Sequence, residues 1–177
     1  TNVGRFVYNS SADQTLSGVI SGSGTLTKTN SGTLTLTGVN TFTNTTTVDG
    51  GILSLNGYAA TGNGCIRGNL IVNPGCEAQI AANKWALGYD SGAYVDNITI
   101  NNGTLNFTIN GGTDAHQITM TAATIAGAAG FDWYNLASAH SATLTTVASA
   151  TSSVIGAPIL LRMNNQAAPA GSCIATF

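Results

Sequence analysis

Charge is scarce in this chain of 177 residues. Only 7% of its positions are Asp, Glu, Lys or Arg, against about 25% in an ordinary soluble domain. The five Lys and Arg residues form no cluster and the formal net charge is −2, so nothing in the chain neutralises phosphates. Nucleic acid and anionic membrane surfaces are therefore poor partners. Acidic groups are equally sparse: Asp13, Asp49, Glu77, Asp90, Asp96, Asp114 and Asp132 are scattered along the chain. Glycan-cleaving β-helices gather carboxylates into an acid–base pair or around calcium. Scattered carboxylates read instead as solvated turn residues, with Asp96 and Asp114 the pair nearest one coil apart. Long apolar runs are missing too. The longest candidate, Ile155 to Leu161, is broken by Gly156 and Pro158 and falls well short of the roughly 18 residues that a membrane helix needs. Membrane insertion by this segment is not expected. Cysteine is rare and odd in number. Cys65 and Cys76 could close a short disulfide with Cys173 unpaired, or both could be small buried hydrophobes. The chain opens on Thr1 with no signal peptide, which reads as a mature product or an excised part of a longer protein.

Gly, Thr, Ser and Asn fill the polar positions, and 43% of the chain is apolar, enough to fold as one domain over residues 1–177. The run from Gly24 to Gly38 alternates Thr with apolar residues between glycines. In Thr33-Leu-Thr-Leu-Thr37 a period of two sends Leu34 and Leu36 to one face and the threonines to the other, as a half-buried strand requires. Short strands are expected at Arg5–Tyr8, around Leu16 to Ile20, and at Thr25–Lys28, Thr33–Thr37, Thr45–Val48, Ile52–Leu55 and Asn69–Val72. Gly, Asn and Asp between them supply the corners. Thr33-Leu-Thr, Ile52-Leu-Ser and Asn69-Leu-Ile recur at 17 to 19 residues, and Asn97-Ile-Thr-Ile and Gln117-Ile-Thr-Met at about 20. That interval is one turn of a β-solenoid. Coils of about 20 residues rising about 4.8 Å predict eight or nine coils and a rod of roughly 40 Å. The competing all-β architecture is a β-sandwich.

The stretch from Asp13 to Leu55 closely resembles the autotransporter-associated β-strand repeat, also called the passenger-associated repeat. Its glycines, Lys28, the Asn40-Thr-Phe42 corner and the closing Gly50-Gly-Ile-Leu-Ser-Leu55 stand in family order. The resemblance covers residues 13–56, with a degenerate continuation to about 75; Asn44 replaces a frequent glycine, and beyond Val95 the match fades. It implies a right-handed parallel β-helix in a bacterial secreted or surface protein, commonly the passenger part of an autotransporter. No catalytic motif comes with it.

The chemistry left to the residues themselves is thin. No cofactor loop is recognisable, since Gly22-Ser-Gly24 and Gly62-Asn-Gly64 lack the spacing of a phosphate or dinucleotide loop. His116 shares strand parity with Asp114, and His140 is distant, so no metal set is specified. Two interruptions of the alternation, 81–95 and 127–142, read as loops projecting from the coil. They carry Trp85, Tyr89, Tyr94, Trp133 and Tyr134, which either form a sugar-stacking platform or cover the helix. The Thr-x-Thr ladders raise ice binding as a remote alternative. The leading expectation is a non-enzymatic extracellular or cell-surface segment, structural or adhesive, whose partners are copies of itself or host and matrix glycans. The second is a carbohydrate-binding or polysaccharide-degrading module using the aromatics with Asp96, Asp114, His116 and Asp132.

Overall fold

The computed structural model describes residues 1–59, 63–82, 86–88, 94–108, 111–113, 117–126, 131–135, 143–147, 149–156 and 159–163. Within these, 111–113, 117–119, 131–135, 143–146 and 159–163 enter through their backbone pairing alone. The strands fall into seven coils. Coil 1 holds β1 (Arg5–Asn9), β2 (Gln14–Leu16) and β3 (Ser21–Gly22), and coil 2 holds β4 (Thr25–Thr29), β5 (Thr33–Leu36) and β6 (Thr41–Phe42). Coil 3 has β7 (Thr46–Val48) and β8 (Ile52–Leu55), and coil 4 has β9 (Gly68–Val72) and β10 (Glu77–Ile80). Coil 5 comprises β11 (Val95–Asn101), β12 (Thr104–Phe107) and β13 (Gly111–Thr113). Coil 6 comprises β14 (Gln117–Thr121), β15 (Thr124–Ala126) and β16 (Phe131–Asn135), and coil 7 comprises β17 (Thr143–Val147), β18 (Val154–Ile155) and β19 (Ile159–Met163).

Equivalent strands stack. The first sheet runs β1-β4-β7-β9-β11-β14-β17, the second runs β18-β15-β12-β10-β8-β5-β2, and the third side is built from β3-β6 and β13-β16-β19. Every pairing between these strands is parallel, as in Arg5 with Thr25 and Leu34 with Leu53. The antiparallel contact among the described residues is an isolated bridge between Tyr58 and Gly64. A sandwich is made of antiparallel hairpins, so this is a right-handed parallel β-helix.

The period is less regular than the sequence suggests. Leu26 pairs with Thr46 twenty positions on, Thr46 with Leu70 twenty-four on, and Leu70 with Ile98 twenty-eight on. Additional corner residues in coils 3 and 4 absorb chain, so the described strands make seven coils, where regular twenty-residue turns predict eight or nine for the whole chain. At about 4.8 Å per coil these seven coils stand about 34 Å tall. The same insertions correct one expected ladder: Thr33 and Ile52 do pair on the second sheet, but the next rung is Glu77, whereas Asn69 sits on the first sheet beside Asn97.

Alternation along each strand sends every second side chain inward, and stacking turns those positions into columns. One column of the first sheet reads Phe6, Leu26, Thr46, Leu70, Ile98, and its neighbour reads Tyr8, Lys28, Val48, Val72, Ile100, Met120. On the second sheet Leu34, Leu53, Ala78, Leu105 and Ile125 form one column, and Leu36, Leu55, Ile80 and Phe107 another. From Leu26 onward nearly all of the apolar members are fully buried, each contributing about 1.5–3 kcal/mol if large. A coil has no core of its own. It is stable because its apolar layer is sandwiched between two others.

Candidate functional site

The residues expected to carry contacts are spread over different parts of the coil. Tyr94 is half-buried just before β11, and its carbonyl accepts the Gly68 amide at 3.2 Å. Trp133 and Tyr134 belong to β16 on the third side, where Trp133 pairs with Thr113 and Leu161 and Tyr134 with Arg162. Trp85 and Tyr89 lie outside the described residues. The first interruption does not project throughout its length: Ala86 and Leu87 are fully buried, and the Cys65 amide donates to Ala86 O at 2.7 Å. Ala86 to Gly88 therefore supply the third side of coil 4.

The described acids join coils rather than one another. Asp13 Oδ1 accepts the Thr33 amide at 2.7 Å, Asp49 Oδ1 accepts the Asn73 side-chain amide, and Glu77 Oε1 accepts both Gln79 and Asn106 at 2.8 Å. Asp96 is exposed on β11, and Asp132 pairs with Gly112 and Leu160 on β16. Asp90, Asp114, His116 and His140 lie outside the described residues. Among the described residues no three His, Cys, Asp or Glu groups gather as a metal set.

The polar groups that the structure does concentrate are buried at the corners. Lys28 is fully buried in an inward column between Tyr8 and Val48. Its ammonium donates to Thr29 O at 2.8 Å, Asn30 O at 2.7 Å and Gly50 O at 2.9 Å, and lies 5.9 Å from the centre of the Tyr8 ring. Three donors meet three carbonyls, so the corner of coil 2 is tied to that of coil 3 with no N–H left over. Burial pushes the ammonium pKa below the ordinary lysine value, while the nearby Cys76 and Asp13 groups oppose that shift.

Asn40 does the same at the third side. Buried to 1% exposure, it accepts the Ile20 amide at 2.8 Å through Oδ1 and donates through Nδ2 to Cys65 O at 2.8 Å and Gly38 O at 3.2 Å. One side chain joins coils 1, 2 and 3. Sequence reasoning placed both residues in the repeat but missed their burial. The signal was present for Lys28, which has the strand parity of Leu26 and so must face inward with it.

Cys65 and Cys76 are not joined. Both are buried free thiols, held at separate corners: Cys65 donates to Leu36 O at 3.4 Å and Gly38 O at 3.5 Å, and Cys76 to Pro74 O at 3.6 Å. Burial pushes the Cys65 pKa up to about 12, against the partial opposition of hydrogen bonds from the backbone and Asn40. Burial also raises Cys76, reinforced by Asp49 and opposed by Lys28. A thiol whose folded pKa exceeds its unfolded value stabilises the fold below the unfolded pKa, and that stability is lost as pH rises towards the folded one. Lys28, with its folded pKa lowered, acts in the opposite sense between that value and the unfolded 10.5. Because Cys65 shifts from 9.0 to about 12, its loss amounts to about 4 kcal/mol at most. Chemical denaturation between pH 8 and about 11 should show stability falling as pH rises, and Cys65→Ala should flatten that fall. Equal slopes in both proteins would contradict the assignment.

The model of one family, the passenger-associated-transport-repeat, matches residues 26–55. This span begins in β4 and ends in β8, and it contains Lys28, Asn40 and the Gly50–Gly51 corner. No curated protein and no solved structure matches the chain. A short segment of this β-helix therefore matches a repeat of autotransporter passengers, and the coil stack runs on to either side of it.

Proposed function

We propose that the chain is a non-enzymatic β-helical segment of a bacterial secreted or cell-surface protein, serving as a stalk or adhesin body. The observation that carries this is the coincidence of the passenger-repeat match at 26–55 with coils 2 and 3. The buried columns of those two coils continue into coils 4 and 5. The described buried polar groups fit that role, because Lys28 and Asn40 spend their hydrogen bonds on neighbouring coils. The scarcity of charge on the chain suits an extended neutral surface outside the cell. No helix among the described residues is long and apolar enough to cross a membrane.

The test is a polysaccharide hydrolysis screen run beside a glycan array on the purified chain. The structural role predicts no hydrolysis of any polymer. Adhesion through host or matrix glycans would add array binding that falls at least tenfold on combining Trp85→Ala with Trp133→Ala. Turnover of any glycan would overturn the proposal and favour the polysaccharide-degrading alternative.

A further inference from the structure

The threonine ladders of the sequence come together on one face. Alternation sends Leu26, Thr46, Val48 and their equivalents inward on the first sheet, so the positions between them belong to its outer surface. Register places Thr27, Thr47, Ile71 and Thr99 in one outer column, and the backbone pairing carries the same position on to Thr119 and Thr145. Five of these six are threonine and the sixth is isoleucine, so every rung is a β-branched residue type with a γ-methyl group. Two positions earlier on each strand stand Thr45, Asn69, Asn97, Gln117 and Thr143. From coil 3 to coil 7 neither column contains an ionisable residue.

Strand propensity favours β-branched residues wherever a strand forms, but it does not account for this column. The matching outer column of the second sheet reads Thr15, Thr35, Ser54, Gln79, Asn106 and Ala126. There the β-branched character ends after two rungs, and Gln79 and Asn106 both bond to Glu77. On the first sheet Thr47, Ile71 and Thr99 are half-buried, and the Thr47 and Thr99 hydroxyls make no hydrogen bond to another described residue. Those hydroxyls are left to water. Thr27 differs: its hydroxyl accepts Arg5 Nε at 3.3 Å and it is 5% exposed, so the open face begins at coil 3.

Such a face suits an ordered water lattice. Coils repeat about every 4.8 Å and alternate positions along a strand about every 6.6 Å, so methyl and hydroxyl groups stand on a two-dimensional grid. Both spacings are close to oxygen repeats of hexagonal ice. The methyl groups restrict the water between rungs, the hydroxyls and amides anchor that water by hydrogen bonds, and no charge imposes a hydration shell of its own. The Asn97 amide is held in place beforehand by its bond to Asn69 Oδ1 at 2.9 Å. We propose that the outer face of the first sheet, from coil 3 onward, binds ice. This adds a ligand to the structural role above without depending on it: hydrolysis and glycan results bear on that role, partition into ice on this one.

Slow freezing of half of a dilute solution tests it, with ice itself as the probe. The wild type should concentrate in the ice and open a gap between melting and freezing points, whereas a globular protein of equal size stays in the liquid. Thr47→Lys combined with Thr99→Lys puts two charges on the grid and should abolish both readings; Ile71→Lys is a second disruption of the same column. Thr35→Lys, on the second sheet, should leave both readings intact. Circular dichroism checks that each variant is folded. A wild type excluded from ice overturns the proposal, as do folded Thr47, Thr99 and Ile71 variants that still partition, or a Thr35→Lys protein that loses partition as fully as they do. Retention of the wild type on a crystalline polysaccharide, with none in ice, would assign the face to a glycan and overturn it too.

Discussion

Lys28→Met lowers the stability of the folded chain by about 2–4 kcal/mol. Methionine matches the bulk of the stem and keeps the column between Tyr8 and Val48 filled, so the loss isolates the ammonium. Without it, Thr29 O, Asn30 O and Gly50 O lose their shared donor. A buried acceptor left unmade costs about 1–3 kcal/mol, and the hydrogen bonds lost here are charge-assisted. Relaxation of the corners towards water recovers part of this, which keeps the total below the sum of three orphans. For a chain of this size the midpoint of thermal unfolding should drop by about 4–15 °C. Equal stability of wild type and Lys28→Met would mean that solvent reaches this corner and the ammonium staples nothing.

Gly51→Ala should cost at least about 3 kcal/mol, while the same change at Gly75 should cost about 1. Both glycines adopt positive φ, +61° at Gly51 and +72° at Gly75, a region that costs a non-glycine residue about 1–2 kcal/mol. They differ in what a methyl group would meet. At Gly51 the added carbon would lie 2.5 Å from Gly32 O, 2.6 Å from Ser31 O and 2.7 Å from Asn30 O; at Gly75 there is nothing within 4 Å. The carbonyls at Gly51 belong to the corner of the coil below, so relief requires separating coils 2 and 3. Denaturant titration of the pair separates backbone strain from coil spacing. Equal losses at the two positions would show that the corner has room to give.

Much of the fold was legible because a β-helix writes its periods openly. Thr33-Leu-Thr-Leu shows the period of two, and the twenty-residue return from Leu26 to Thr46 is visible as repeated Thr-rich strands. In coil 4 the strand at Asn69–Val72 was legible, but the sheet it joins was not. The chain between Leu55 and Gly68 inserts a corner with its own Tyr58–Gly64 bridge, and this shifts Asn69-Leu-Ile from one sheet to the other without disturbing its strand pattern. Periodicity reports which face a residue takes but not which sheet its strand joins, so an insertion at a corner goes unseen. Asn40 illustrates the other limit. Asparagine at a turn reads as solvated, and its burial follows from the approach of the Ile20 amide, twenty positions earlier, and of Cys65 O, twenty-five positions later in the chain. Trp133 and Tyr134, expected in a loop projecting from the coil, lie instead on strand β16, which pairs with β13 and β19 although its sequence shows no clean alternation.

The central claim is that one continuous coil stack extends well past the recognised repeat. Peptide-resolved amide hydrogen exchange tests it most directly. The account predicts slow exchange in the ladder amides of β4 to β12, with residues 69–72, 77–80 and 97–107 protected to within about tenfold of 26–55, since global opening governs a shared core. Protection confined to 26–55, with the later strands exchanging as an unfolded chain does, would contradict it.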